Sequence, residues 1–387
     1  MKKVYMDNSA TTPVRSEVLE AMTPYFTETF GNPSSVHSFG REVRKAVDEA
    51  RDKTAAAIGA SPQEIIFTSG GTEADNLAIR GVARALQQKG NHIITSAVEH
   101  HAVLDACLAL KEEGFEITVL PVDEYGMVSV RDVEKAINDK TILITIMLAN
   151  NEVGTIQPIA EIGRIARERR VIFHTDAVQA MGNLPVNVDE LQCDLLSMSA
   201  HKFNGPKGIG ALYVRRGTKL KVFNFGGAQE RKIRPGTENV PAIVGLGRAI
   251  ELAVGEMGEK TGKLKGLRDK LIKGLLGIDN VRLNGHPTER LPGNANVSVQ
   301  FVEGESLILS LDLKGVAVSS GSACTSGSLD PSHVLMAMGL DHQTAHGSLR
   351  FSLGFGNTEE DIDYVLEVIP EIVSRLRSMS PVYSAKK

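Results

Sequence analysis

Between residues 64 and 215 short runs of β-branched and apolar residues alternate with stretches of helical spacing. The runs at 65–68, 92–95, 116–120, 142–148, 171–174, 195–199 and 209–214 predict seven strands. Segments between them, such as 161–169 with Ile162, Ile165 and Ala166, carry the period of a helix, the crossover that parallel strands require. The pattern predicts an α/β fold with a mostly parallel seven-stranded sheet. An earlier helix is expected from Val43, Val47, Ala50, Ala57 and Ile58, ended by Gly59 and packed beside that sheet. After Pro241 the pattern changes. Leu264, Leu267, Leu271 and Leu275 mark a long helix, strands follow at 281–283, 295–301 and 315–319, and a smaller α+β domain is expected from about residue 256. Its last helix should be capped by Thr358 with Asp361 three residues on. Ile362, Val365, Ile369 and Ile372 then line one face, and Pro370 should kink it.

Charge and composition narrow the classes. With 43 Lys and Arg against 47 Asp and Glu, the net charge of -4 disfavours nucleic acid as a partner. The longest apolar run, 142–149, falls far short of the roughly 20 residues that span a bilayer, so no membrane segment is expected. Lys2 and Lys3 lead straight into the polar Asp7-Asn8-Ser9, not into the apolar core of a signal peptide. Cys107, Cys193 and Cys324 are too scattered for a disulfide framework or a thiolate zinc site, which points to free thiols and a cytoplasmic setting.

In an open α/β sheet ligands sit beyond the carboxyl ends of the strands, and four of these ends are unusually polar. After 65–68 comes Ser69-Gly70-Gly71-Thr72-Glu73 and a helix, a turn able to hold an anion on backbone N–H groups or simply a turn capped by Thr72. After 171–173 comes His174-Thr175-Asp176-Ala177-Val178-Gln179, where Asp176 could face a cationic ring nitrogen or cap a helix. Ser199-Ala200-His201-Lys202 places one lysine between a strand and a Gly-Pro turn, flanked by hydrogen-bonding Ser199 and His201. Beyond 92–95 stands Glu99-His100-His101, and only one of two adjacent imidazoles can face a given ligand. Cys324 lies in a stretch of small residues without period, whereas Cys107 and Cys193 sit in apolar patterns and read as structural. Gly245-Leu246-Gly247 imitates a dinucleotide fingerprint, yet no strand leads into it. His342 and His346 lack the glutamate of a zincin pair, so no resident metal is expected.

Asp176, Gln179, Lys202 and the Thr72 turn together resemble the site of fold-type I pyridoxal-phosphate enzymes. With Asp7-Asn8-Ser9-Ala10-Thr11-Thr12-Pro13, Phe30-Gly31-Asn32-Pro33, Ala149-Asn150-Asn151-Glu152 and Ser319-Ser320-Gly321-Ser322-Ala323-Cys324, the chain resembles the cysteine desulfurases of the NifS and IscS type. That resemblance implies Lys202 as the Schiff-base lysine, Asp176 on the pyridinium and Gln179 on the phenolic oxygen. Gly71, Thr72, Ser199 and His201 would hold the phosphate, joined by Thr237 from the partner subunit of a homodimer. It implies His100 stacked on the ring and moving protons, Asn151 and Arg350 on the substrate carboxylate, and Cys324 as the thiol that accepts sulfur from L-cysteine while alanine departs. The sulfur would pass to a scaffold protein, with at most a transient iron–sulfur contact through Cys324. The N-terminal strip would join the smaller domain, giving 16–255 against 1–15 and 256–387. The short tail after Pro381 leans towards the NifS-like side. A selenocysteine lyase or an aminotransferase would share Lys202 and Asp176 but not need Cys324. An idle scaffold protein would be expected to have lost Lys202, His100 or Arg350.

Overall fold

A computed structural model describes residues 2–320 and 331–384 of the chain. A two-residue strand, β1 (Val4–Tyr5), precedes the seven strands β2 (Ile65–Thr68), β3 (His92–Ser96), β4 (Glu116–Leu120), β5 (Thr141–Thr145), β6 (Ile172–Asp176), β7 (Leu195–Ser199) and β8 (Gly210–Val214). They form one sheet in the order β2-β8-β7-β6-β5-β3-β4. Only β8 runs against its neighbours β2 and β7. The carboxyl ends of the other six therefore share one edge, where crossover connections leave room for a ligand. No helix among the described residues is long and apolar enough to cross a membrane.

Both faces of the sheet are covered. On one, Ile65, Phe67, Ile144, Phe173 and Leu196 pack with the helices Ser38–Ala56 and Val240–Gly255; on the other, Ile66, Ile93, Leu143 and Leu195 pack under Gly71–Leu86 and His101–Glu112. The strands 65–68, 116–120 and 195–199 fall where the pattern put them. The run 142–148 overshoots the strand Thr141–Thr145, although Ile146, Met147 and Leu148 are buried too and the Ile146 and Leu148 N–H groups still donate to the His174 and Asp176 carbonyls of β6. Gly245 and Gly247, the false dinucleotide motif, have a packing explanation. A Cβ on Gly247 would stand 2.7 Å from Ala50 Cα, and one on Gly245 would stand 2.6 Å from Met22 Sδ. These glycines let one helix lie against its neighbours.

A second core gathers Val4, Met6, Leu264, Leu271, Val297, Leu349, Phe351, Ile362 and Ile369. Its sheet orders β12 (Ser348–Ser352), β10 (Asn294–Val299) and β9 (Val281–Asn284), all antiparallel, while β11 (Val316–Ala317) pairs in parallel with β1. The strand expected at 315–319 is thus reduced to two residues, and β12 was not anticipated. The final helix, Glu359–Met379, begins with the Thr358–Asp361 capping box, and Pro370 lies inside its single helical span.

β10 explains how this unit meets the large sheet. Ala295, Val297 and Val299 face its own core; Asn294, Asn296 and Ser298 alternate with them and are buried too. Asn294 Nδ2 and Asn296 Nδ2 each donate to the Glu152 carbonyl at 3.1 Å, on the loop that follows β5. Arg350, opposite Asn296 in the ladder, donates from Nη1 to the Asn151 carbonyl at 3.1 Å. The polar face of the smaller sheet is thereby fixed against the edge of the larger one.

Candidate active site

A cavity of about 280 Å³ opens at the shared strand edge. Nine of the expected residues line it: Gly71, Thr72, His100, Asn151, Asp176, Gln179, Ser199, His201 and Lys202. They stand at or just beyond the carboxyl ends of five strands, β2, β3, β5, β6 and β7, which is why positions up to 131 apart converge.

The first wall is the N-terminus of the helix Gly71–Leu86. Gly70 is its N-cap, at φ 156° and with no side-chain capping bond. The helix begins one residue before Thr72, so Thr72 is not the cap and the first-turn N–H groups face a site without a competing side-chain oxygen. Gly210 at the start of β8 is what admits the turn: a Cβ there would meet Gly70 Cα at 2.8 Å. Ser199 and His201 come from the end of β7 and the turn after it. Burial, with Lys202 and Lys207 adding positive charge, lowers His201 to about 4, leaving a neutral ring.

Asp176 ends β6, buried, with Oδ1 accepting from Val178 N–H at 2.8 Å. Burial raises its carboxyl to about 6, against the pull of the Val178 bond and Lys202. Lys202 Nζ donates to the carbonyls of Ser9 and Ala10, the latter at 2.9 Å, and Gln179 Nε2 donates to the Ser9 carbonyl at 2.9 Å. The N-terminal strip is thus part of the site, with Ser9 and Ala10 in the cavity wall.

The histidine pair resolves cleanly. His100 lines the cavity and caps the helix His101–Glu112, its Nδ1 accepting from Ala102 N–H at 3.1 Å. Burial first, then Lys202 and His101, lower it to about 4. The neutral ring with Nδ1 so engaged carries its hydrogen on Nε2, a donor. His101 does not line the cavity; its Nδ1 lies 3.4 Å from Asp105 Oδ1 and its ring is tilted 57° against that of His333, centroids 4.8 Å apart.

Arg350 is buried beside this cavity and outside its lining. Nη2 donates to Asp7 Oδ1 at 3.0 Å, and among the described residues Nε has no hydrogen-bond partner. Thr237 is exposed and does not line the cavity of its own chain. Cys324 lies outside the described residues. Burial pushes Cys107 and Cys193 each up to about 12, so neither is a thiolate near neutral pH.

The sequence reading missed a deeper layer of acids. Asp75 lines the cavity; Glu99 accepts from Ser96 Oγ at 2.6 Å and Met147 N–H at 3.0 Å; Glu152 accepts from Ser332 Oγ at 2.5 Å. Burial raises Glu99 to about 8 and Glu152 to about 7. A usable sign existed for Asp75, which falls on the apolar helix face of Ala78, Ile79 and Val82.

The family profile of class-V aminotransferases matches residues 4–365. Cysteine desulfurase IscS of Methanosarcina thermophila is 61% identical over 381 residues, covering 98% of this chain and 94% of that protein. A solved structure described as a NifS-like protein superposes with a TM-score of 0.92 at 41% identity, over 97% of this chain and 100% of that one. A structure titled SspA in complex with cysteine superposes at 0.82 with 38% identity, over 91% of this chain and 99% of that one. The chain therefore belongs to the class-V aminotransferases of fold type I, among the cysteine desulfurases of the NifS and IscS type.

Proposed function

We propose that this protein is a pyridoxal-phosphate-dependent cysteine desulfurase, converting L-cysteine to L-alanine and leaving the sulfur as a persulfide on Cys324. The observation that carries it is the convergence of Asp176, Lys202, His100 and the uncapped Gly70–Thr72 helix start on one cavity. These residues suit the cofactor. A buried acid with one oxygen engaged suits a cationic ring nitrogen, and first-turn N–H groups with Thr72, Ser199 and His201 suit a phosphate. When bound, pyridoxal phosphate supplies an electron sink for negative charge at the substrate α-carbon.

The chain's own groups do the rest. Lys202, its amine released from the cofactor when substrate binds, would take up the α-proton, since an amine is the strongest base among the side chains of the cavity wall. Gln179 would orient the cofactor through its amide, and His100 would pack against it and offer its Nε2–H. While Nδ1 of His100 caps the helix, that imidazole cannot take a second proton at the cavity, which narrows its expected shuttle role to donation and stacking. Arg350, with its unpartnered Nε, and Asn151 bind the substrate carboxylate. The Cys324 thiolate attacks the substrate sulfur. An S–S bond forms as the C–S bond breaks, its electron pair passes to the β-carbon, and a proton completes the methyl group of alanine. Thr237, exposed and away from its own cavity, serves a second copy in a homodimer, and a scaffold protein receives the sulfur.

The test is direct. Purified protein loaded with pyridoxal phosphate is expected to make alanine from L-cysteine and, without reductant, to gain one sulfur on the peptide holding Cys324. Alanine without sulfur on that peptide would favour the aminotransferase or lyase reading.

A further inference from the structure

A buried polar seam runs beneath the cavity. Asp75, 1% exposed in the helix Gly71–Leu86, lies near the Ser197 side chain on β7, which eases its ionisation against the larger penalty of burial. Ser197 Oγ lies 3.0 Å from His174 Nε2 on β6, and His174 Nδ1 lies 2.8 Å from Thr145 Oγ1 on β5. All four side chains are buried, and the hydrogen bonds from Ser197 through His174 to Thr145 cross three adjacent strands beneath Asp75.

Asp75 and Asp176 both line the cavity, and Asp176 adds to the cost of ionising Asp75; Glu99 is a third acid within electrostatic reach of Asp75. Positive compensation is short. Lys202 acts on Asp176. His174 Nε2 is 3.6 Å from Asp75 Oδ1, beyond hydrogen-bond distance, and burial holds that imidazole at about 3, hence neutral. Among the described residues Asp75 Oδ1 has no hydrogen-bond partner. An ionised Asp75 would place an unpartnered charged oxygen in a dry wall next to a second carboxylate, whereas a neutral acid would not.

We propose that Asp75 is a positioning residue that stays protonated, keeping the two buried carboxyls at a single negative charge that resides on Asp176 and holding the Ser197–His174 seam beneath it. The functional consequence rests on the reading that Asp176 faces a ring nitrogen; the protonation of Asp75 does not.

The experiment is infrared spectroscopy of the cofactor-free protein at pH 7, with aspartate carboxyls carbon-13 labelled to separate them from Glu99 and Glu152. A carboxylic-acid band that Asp75→Asn abolishes is expected; its absence overturns the proposal. Asp75→Asn, a neutral near-isostere, should bind pyridoxal phosphate within about threefold of wild type, with an unshifted pH profile of the visible band. Asp75→Ala should bind at least about tenfold more weakly and shift that profile by about one unit. Equal impairment of both variants overturns the positioning role. Should Asp75→Ala not fold, the wild-type band and its loss in Asp75→Asn decide the protonation, and cofactor binding by Asp75→Asn more than about tenfold weaker than wild type overturns the positioning role. A band without any cofactor binding would uphold the protonation of Asp75 and overturn the reading of the site.

Discussion

Replacing Arg350 separates substrate recognition from scaffolding. The side chain is 1% exposed, with Nη1 on the Asn151 carbonyl, Nη2 on Asp7 and Nε unpartnered. A substrate carboxylate would find one donor ready and a second held by Asp7, a competitor of like charge. Hydrogen bonds to a charged group contribute about 1.5–3 kcal/mol, so Arg350→Ala should raise KM for L-cysteine by roughly 10- to 150-fold. The kcat should change far less, because the reacting atoms lie with Lys202. The visible absorbance of bound cofactor should also persist, since Arg350 does not line that cavity. A stability loss accompanies it, from Asp7 losing its partner. Asp7 is 18% exposed at its side chain, so water recovers part of the cost and about 2 kcal/mol is expected, towards the low side for a broken buried pair. Arg350→Lys keeps the charge without the fork and should fall between. Steady-state kinetics with L-cysteine, beside denaturant unfolding, reads both effects. A normal KM for Arg350→Ala together with the stability loss would reduce Arg350 to a pin between the two sheets.

Lys202→Ala should abolish alanine production while the protein still folds; normal turnover with the visible band of a lysine-linked cofactor would remove Lys202 from the reaction. Cys324→Ser should bind cofactor and respond spectrally to L-cysteine, yet yield almost no alanine, and extra sulfur on Cys107 or Cys193 instead would refute the persulfide assignment. Stability should fall between pH 6.5 and 8: Glu99 and Glu152, raised by burial to about 8 and about 7, keep protons the unfolded chain has already lost. Their combined contribution over that window is on the order of 2 kcal/mol, lost as pH rises, and Glu99→Gln with Glu152→Gln should flatten the slope seen in urea unfolding.

How much of this was legible in the chain depends on what burial does to each residue type. Strands such as 116–120 and 195–199 were legible because their runs are bounded by polar turns. β6 was cut short at His174 because a strand buried on both faces of a parallel sheet can hide His174 and Asp176 as readily as valine, provided each finds a partner or a function. β12 was overlooked for the opposite reason. Ser348-Leu349-Arg350-Phe351-Ser352 does alternate, but five residues carrying an arginine look like an exposed edge until Asn151 and Asp7 are placed against them.

The site residues that could be named were those standing where strand pairing stops, since a polar residue there has either water or a ligand to face. Asp75, Glu99 and Glu152 lie one layer deeper, and in sequence a buried acid looks the same as a solvated one. What distinguishes them is the third dimension: Ser197 under Asp75, Ser96 and the Met147 amide around Glu99, Ser332 on Glu152. Glu99 and Glu152 each precede or follow a residue of the cavity wall, His100 and Asn151, in the chain. Exchanging either acid for an apolar residue would strand the Met147 amide or the Ser332 hydroxyl and loosen the neighbouring wall. Those positions are therefore held by the placement of the site although neither acid reaches into it.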